Sequence, residues 1–275
     1  MSGFSAEWLA LREPADARAR VAGDAALDEL RDALVGHADP PGRAPAVLDL
    51  GAGSGANLRF LGPRLPGHWP WTLVDHDAGL LRLAAATPGR PATRQLDLAA
   101  ALPDLPLPPR GLVTASALLD LVSHVWLATL AARCHAAHCS LLFALTYDGR
   151  VACKPMDAED TLIISLVNQH QLTDKGFGPA LGPTAAAAAA RLFAAPGYRL
   201  RRVRSDWRLG PDESALQDAL LLGWAEAASE MAPGSRPRIA AWLARRRHHL
   251  ARGRSRLVVG HEDLYGWPVG PKAAP

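Results

Sequence analysis

The chain has 275 residues, of which 49% are hydrophobic, and this is enough for one sizeable core. Lys and Arg exceed Asp and Glu by only 30 to 27, so the formal net charge of +3 is a weak indication of a nucleic-acid partner. Three cysteines cannot form a disulfide framework, no secretory signal is recognisable, and no apolar run approaches the roughly 20 residues that span a bilayer. We expect a soluble, cytoplasmic protein that does not insert into membranes.

The first half of the chain divides into a helical segment and a segment of alternating strands and helices. Hydrophobic residues recur at helical spacing between residues 5 and 36, which predicts two or three helices there. The predicted strands that follow are 46–50, 71–75, 92–98, 111–116 and 140–147, and the predicted helices between them are 55–62, 77–86 and 119–136. This alternation is typical of βαβ units, in which helices cover both faces of a parallel sheet.

The alternation stops after residue 147. Helices are predicted near 158–171, 184–195, 213–231 and 236–251, and strands are predicted at 198–207 and 256–267. A final strand that follows such an interruption suits a sheet closed by an antiparallel strand.

The stretch DLGAGSGANLRFL (49–61) places three glycines between a predicted strand and a predicted helix. Backbone N–H groups at such a loop can approach a ligand that side chains would exclude. Gly51, Gly53 and Ala56 satisfy the dinucleotide pattern G-x-G-x-x-G/A, and an acidic residue follows about 20 residues later. However, Asp49 would repel a pyrophosphate, whereas it could meet the cationic amino-acid end of S-adenosylmethionine. Both ligands stay open, and the second is favoured because no Tyr-x-x-x-Lys pair or comparable hydride-transfer set accompanies the loop.

Four stretches together resemble the class I S-adenosylmethionine-dependent methyltransferases: VLDLGAGSG (47–55), LVDHD (73–77), LDL (96–98) and LVTASALLDLVS (112–123). The part of the chain outside this core, including DKGFGPALGP (174–183), looks like a bacterial subgroup of these enzymes. The resemblance implies a Rossmann-like α/β fold with a seven-stranded sheet, helices on both faces and an antiparallel last strand. It implies S-adenosyl-L-methionine as the cofactor, with Asp75 on the ribose hydroxyls and Asp97 on the adenine amino group, although Asp97 could equally be a turn residue. The cofactor-binding residues implied in this way are Asp49, Gly51, Gly53, Gly55, Asp75, His76, Asp97, Leu98, Ser116 and Ala117.

The expected organisation follows from the resemblance and from the predicted elements. We expect an N-terminal helical lid (1–45) and a cofactor-binding Rossmann-like core (46–148). Insertions and C-terminal strands (149–267) would complete the sheet and the substrate pocket, and a flexible tail (268–275) would follow.

Polar side chains near the expected strand ends are the candidates for acceptor chemistry. Ligands of open α/β sheets bind beyond the carboxyl ends of the strands, and methyl transfer to an O–H or N–H group needs alignment and a base. The candidate catalytic residues are His170, Asp148 and Tyr147, and the candidate substrate-binding residues are Trp8, Arg12, Asn168, Gln171, Asp174 and Lys175. Each has a structural alternative: His170 shares a helical face with apolar residues, Asp174 and Lys175 can pair at a helix end, and Trp8 and Arg12 can pack helices.

Three further signals are weaker. The Cys and His residues of CHAAHC (134–139) diverge around a predicted helix, so we expect no metal site. The basic stretch ARRRHHLARGRSR (244–256) is interpreted as a solvated helical face, and HED (261–263) as an exposed loop.

The sequence thus favours an enzyme that transfers a methyl group to an oxygen or nitrogen of a small-molecule substrate. An RNA methyltransferase is an alternative suggested by the arginine stretch, but the motifs of nucleic-acid base methylation are missing. A non-catalytic partner protein that binds S-adenosylmethionine is the other alternative.

Overall fold

The computed structural model describes residues 5–37, 42–194 and 197–269. Within these residues, eight strands form one sheet in the order β3-β2-β1-β4-β5-β8-β6, and β7 pairs with β8. The strands are β1 Val47–Leu50, β2 Trp71–Asp75, β3 Ala92–Gln95, β4 Leu112–Ser116, β5 Ser140–Lys154, β6 Tyr198–Arg204, β7 Trp207–Leu209 and β8 Arg256–Pro268. Pairs among β1 to β5 are parallel, whereas β8 is antiparallel to β5, β6 and β7. The predicted Rossmann-like sheet with an antiparallel last strand is therefore confirmed, with β7 as a short addition.

Helices cover both faces of this sheet, as the uninterrupted burial of β1 and most of β4 requires. They are α1 Ala6–Arg20, α2 Asp24–Gly36, α3 Ala56–Leu61, α4 Ala78–Ala85, α5 Leu98–Ala101, α6 His124–Ala136, α7 Asp160–His170, α8 Ala185–Phe193, α9 Ser214–Met231 and α10 Arg236–Ala251. One core cluster contains side chains of α1, α2, α3, α7, α9 and α10, and a second contains side chains of α5, α6 and α8. None of the described helices is long and apolar enough to cross a bilayer.

The fifth strand is much longer than predicted. Ser116, the last residue of β4, pairs with Ala144, so the later part of β5 projects beyond the edge of the parallel sheet and pairs only with β8. The backbone bends at Leu145, whose φ is +54°, and its N–H donates to Oδ1 of Asp263 (2.7 Å). The buried Asp263 carboxylate thus accepts the hydrogen bond that the Leu145 N–H cannot make within the bent strand. We call the part of the β5–β8 pair that projects beyond the parallel sheet the arm.

Three further predictions about the elements are wrong. The prediction that HED is an exposed loop fails because His261 and Asp263 lie buried within β8. Helix α6 begins at His124 rather than at residue 119, since Ser123 caps it by accepting from the Trp126 N–H (3.3 Å). The predicted tail starts too early because β8 continues to Pro268, and residues 270–275 lie outside the described residues.

A buried guanidinium fixes α10 to α7. Arg246 is 0% exposed, its Nε donates to Oδ1 of Asp160 (3.0 Å), and Nε1 of Trp242 donates to the same oxygen (2.9 Å). A neighbouring arginine, Arg247, forms an exposed pair with Asp218 (2.6 Å).

We expect Asp160→Ala to lower the free energy of unfolding by about 3–5 kcal/mol, because it leaves a buried charge without a partner. The matched control Asp218→Ala should cost at most about 1 kcal/mol. Urea unfolding of both variants measures the difference. Equal losses of unfolding free energy would show that the buried pair stabilises the fold no more than the exposed pair does.

Candidate active site

The glycine loop forms a close backbone cradle between β1 and α3. Gly53 and Gly55 have φ values of +52° and +87°, which side-chain-bearing residues rarely adopt. A Cβ at Gly55 would lie 3.2 Å from Cα of Ala84, and a Cβ at Gly53 would lie 3.2 Å from Cδ1 of Leu9 on α1. The first helix therefore lies next to the loop, and its role as a lid stays a prediction.

Asp75, at the end of β2, is fixed beside this cradle. Its Oδ2 accepts from the Gly53 N–H (2.8 Å) and its Oδ1 from the Asp77 N–H (2.9 Å). Nδ1 of the exposed His76 lies 3.3 Å from Oδ1. Asp77 caps α4, so Asp75 does not serve as the helix cap. Two backbone donors leave further lone pairs of this carboxylate available to hydroxyl groups of a ligand.

Asp97 follows β3 and is exposed. Its carboxylate caps α5 by accepting from the Ala99 N–H (2.9 Å). Leu98 is buried, and its carbonyl oxygen accepts from Nε1 of Trp126 (2.7 Å). The helix-capping role of Asp97 leaves one carboxylate oxygen for another donor, so its contact with adenine stays a prediction.

A cluster of buried polar groups lies under α1, and the sequence analysis identified only one of them. Asp49 is 0% exposed, and its Oδ1 accepts from Nδ2 of Asn57 (2.7 Å). Oδ2 of Asp49 and Oδ1 of Asn57 have no hydrogen-bond partner among the described residues. Burial raises the pKa of Asp49 to about 7, against the opposing effects of the Asn57 hydrogen bond and the Arg20 charge. This carboxylate can thus change charge near neutral pH.

A second buried cluster lies where β4 and β5 leave the sheet. The Ala117 N–H donates to the carbonyl oxygen of Ala144 (2.9 Å). Its φ is +52°, so a residue with a strained backbone follows β4 directly. Asp120 is 8% exposed, and its Oδ1 has no partner within the described ranges. Burial raises the pKa of Asp120 to about 6. Neither Ala117 nor Asp120 lies on a regular element, and Asp120 carried no signal in the sequence.

The Arg12 charge acts on Asp120, and the His261 ring lies beside Trp207, the same tryptophan that Arg12 contacts. The Arg12 guanidinium pairs with Asp16 (2.9 Å) and lies 4.9 Å from the ring of Trp207, whose Nε1 donates to Asp16 (2.9 Å). The His261 ring lies 4.9 Å from the Trp207 ring, and burial together with the Arg12 charge lowers the pKa of His261 to about 3. The Arg12 charge thus acts on both Asp120 and His261. Trp8, also predicted to bind substrate, is half-buried and packs against the core.

The predicted catalytic and substrate residues after β4 fall into separate groups. Tyr147 lies within β5 rather than at its end, its hydroxyl donates to Oδ1 of Asn168 (2.7 Å), and burial raises its pKa well above the ordinary value. Nε2 of His170 lies 3.0 Å from Glu230 of α9, and its Nδ1 lies 3.3 Å from Nζ of Lys175. The structure therefore brings Tyr147 to Asn168 and His170 to Lys175.

The remaining candidates have local roles. The Asp148 carboxylate accepts from the Arg150 Nε (2.8 Å), so it is held in an ion pair rather than free. Asp174 closes a tight turn by accepting from the N–H groups of Gly176 (2.6 Å) and Gly178 (3.1 Å), and it does not pair with Lys175. Gln171 is the C-terminal cap residue of α7.

Three of the six arginines in the basic stretch at 244–256 are paired with carboxylates. Arg245 pairs with Asp157 (2.6 Å), and Arg246 and Arg247 pair with Asp160 and Asp218. The three consecutive arginines are thus engaged within the protein, which weakens the support for a phosphate-binding face along this helix.

No family model and no curated protein matches the chain. Solved structures do match, at low sequence identity. A proposed type II methyltransferase from Anaeromyxobacter dehalogenans is 18% identical, with a TM-score of 0.51, 90% of this chain and 97% of that chain covered.

Two further solved structures match with lower TM-scores. Geranyl diphosphate C-methyltransferase from Streptomyces coelicolor is 13% identical, with 90% and 77% of the two chains covered and a TM-score of 0.44. A cyclopropane synthase from Mycobacterium tuberculosis is 14% identical, with 88% and 83% covered and a TM-score of 0.42. By its strand order and its likeness to the Anaeromyxobacter structure, the chain has the Rossmann-like fold of the class I methyltransferases, as the sequence resemblance implied.

Proposed function

We propose that this chain is an S-adenosylmethionine-dependent methyltransferase that acts on an oxygen or nitrogen of a small molecule. The observation that carries the proposal is the cradle at the glycine loop: left-handed glycines lie between the fixed carboxylate of Asp75 and the unpartnered buried oxygen of Asp49. A pyrophosphate at this loop would lie beside buried negative charge, whereas an ammonium group would neutralise it.

The residues present fit this cofactor from end to end. Asp75 would accept from the ribose hydroxyls, and Asp97 with Leu98 would hold the adenine. Oδ2 of Asp49 would accept from the ammonium group of the methionyl end, with Ser116 and Ala117 beneath it. When bound, the cofactor supplies an activated methyl group, and the protein's share is to align the acceptor and exclude water.

The second buried cluster supports an acceptor site at the ends of β4 and β5. The free Oδ1 of Asp120 is suited to take the proton of an O–H or N–H acceptor, because its pKa lies close to neutral pH. The Arg12 charge acts on Asp120 and would orient the acceptor, whereas Tyr147 contributes a backbone hydrogen bond to the Asp120 carboxylate. The catalytic role predicted for the Tyr147 hydroxyl stays a prediction, since that group donates to Asn168. His170 stays a candidate base, but its ring nitrogens already face Glu230 and Lys175.

A small-molecule acceptor is favoured over RNA because three of the six arginines of the basic stretch, Arg245 to Arg247, form ion pairs within the protein. A cytoplasmic location fits the three cysteines, which are unpaired and buried.

Calorimetric titration with S-adenosylhomocysteine, with NAD as the comparison ligand, tests the proposal. We expect micromolar, one-to-one binding of the first ligand alone. Asp75→Ala should weaken that binding by roughly ten- to a hundredfold, since the ribose hydroxyls and the Gly53 N–H lose their acceptor. The exposed Asp32→Ala on α2 is the control and should bind as the wild type does. Heat with NAD and none with S-adenosylhomocysteine would assign the loop to a dinucleotide.

The raised pKa of Asp49 makes cofactor binding depend on pH. In the free protein the carboxyl holds its proton up to about pH 7, whereas contact with an ammonium group favours the ionised form. Binding therefore releases a proton below that pH, so affinity for S-adenosylhomocysteine should rise by up to about tenfold per pH unit toward pH 7 and then level off. Titrations at several pH values measure the slope, and Asp49→Asn should bind weakly without it. A wild-type affinity that is flat across this range would exclude Asp49 from the ammonium site.

A further inference from the structure

Lys175 is one of only three lysines in the chain, and its amine lies beside a histidine at the end of α7. Nζ of Lys175 lies 3.3 Å from Nδ1 of His170 and donates to Oγ1 of Thr173 (2.9 Å). On the other side of the ring, Nε2 of His170 lies 3.0 Å from Oε2 of Glu230 on α9. A carboxylate, an imidazole and an amine thus follow one another at hydrogen-bond distance.

The Glu230 carboxylate determines which nitrogen of the His170 ring carries the proton. A carboxylate can only accept, so the neutral ring donates through Nε2 and presents the lone pair of Nδ1 to Lys175. A proton that passes from Lys175 to this lone pair leaves a neutral amine beside an imidazolium, which the negative charge of Glu230 stabilises. The geometry therefore places a base directly on a nitrogen that becomes a nucleophile when it loses a proton.

The surroundings of Lys175 favour this loss without closing the site. The residue is half-buried, and the desolvation lowers the pKa of Lys175 below its ordinary value, against the opposing effect of the Glu230 charge. The His170 side chain is 24% exposed, so solvent reaches the contact between the two residues. A small reagent dissolved in water can therefore approach Nζ.

Lys154 provides a comparison within the same chain. It is the exposed last residue of β5, and no hydrogen bond or ion pair joins its side chain to the described residues. Its partner across the strands is Arg256, and a neighbouring cation also favours the neutral form of an amine. A faster reaction at Lys175 than at Lys154 would therefore come from the imidazole contact and partial burial rather than from a neighbouring positive charge.

We propose that Lys175 is a site of acylation by small activated acyl donors of the acyl phosphate class, with His170 as the base that takes the proton of the amine. The ammonium first gives one proton to solvent through His170. The neutral Nζ then attacks the carbonyl carbon of the donor, and a C–N bond forms as the C–O bond to phosphate breaks. The phosphate leaves with the bonding electron pair and takes up a proton, and the remaining surplus proton of Nζ passes to Nδ1 of His170.

The product is a neutral amide at residue 175, which no longer carries the positive charge of the ammonium group. The reaction uses no S-adenosylmethionine, so its test is separate from that of the proposed methyl transfer.

The experiment is acetylation of the full chain with acetyl phosphate at mildly alkaline pH, followed by mass spectrometry of its peptides to obtain the rate at each lysine. We expect Lys175 to react roughly tenfold faster than Lys154 in the same molecules. His170→Gln keeps a polar side chain but has no basic nitrogen. It should slow Lys175 by about fivefold or more and leave the rate at Lys154 unchanged.

Two further variants separate the imidazole contact from general effects. Glu230→Gln keeps the size of the side chain but cannot stabilise an imidazolium by charge, so it should give a smaller loss at Lys175 only. His248→Gln is the matched control, because His248 is an exposed histidine of α10 whose ring neighbours that of His249 (6.1 Å between centroids). This variant should leave both lysines at the wild-type rates.

Two checks concern folding. In concentrated guanidinium chloride the difference between Lys175 and Lys154 should disappear, because the contact between the amine and the imidazole depends on the fold. Thermal melting identifies any variant that is not folded, and Glu230→Gln then takes the place of His170→Gln.

Each contrary outcome is distinct. Equal or slower acetylation of Lys175 in the folded wild type would overturn the proposal. A faster reaction that both His170→Gln and Glu230→Gln leave unchanged would overturn it as well, because the imidazole would then have no part in the reactivity. A loss confined to Lys175 in these two variants supports it.

Discussion

The hydrogen bond from the Gly53 N–H to the Asp75 carboxylate is the contact on which the rest of the site depends. It joins the loop after β1 to the end of β2, so the two neighbouring strands present one continuous surface. The left-handed conformation at Gly53 directs this N–H, and a side chain there would meet α1. A residue other than glycine would therefore disturb both the loop and the helix above it.

Helix α1 extends this surface to the acceptor side. Leu9, Arg12, Asp16 and Arg20 follow one another at helical spacing, so one face of the helix contacts the glycine loop, the Trp207 ring and a small cavity beside α3 in turn. Because Asp16 accepts from both Arg12 and Trp207, the position of α1 is linked to that of the arm. The cofactor region and the acceptor region thus share one structural element.

The elements that could be predicted from the sequence are those that depend on residues close together along the chain. Short apolar strands, the glycine motif behind Asp49 and the acidic residue at the end of β2 all follow from periodicity and spacing, and the structure places them together. The length of β5 could not be predicted in this way, because its second half mixes exposed and buried residues and takes its pairing from a strand about 100 residues later. Polar residues at 261 and 263 suggested a loop, although their partners, Ser205, Leu145 and Trp207, bury them within β8.

The buried groups that matter most to the proposed chemistry were also hidden from the sequence. Arg20 and Asp120 are single polar residues in otherwise ordinary stretches, and only the tertiary arrangement leaves their side chains buried with free atoms. In the conspicuous polar stretch around His170, by contrast, the His170 ring contacts Glu230 and Lys175. The dense polar stretch thus indicated the position of unpaired polar atoms less well than isolated residues that become buried on folding.

The most direct test of this account is a crystal structure of the chain grown with S-adenosylhomocysteine. We expect the ribose hydroxyls at about 2.7 Å from the Asp75 carboxylate, with the adenosyl group against the left-handed glycines and the ligand's amino acid beneath α1. A ligand bound elsewhere, or one whose ribose lies away from Asp75 with the cradle empty, would contradict it.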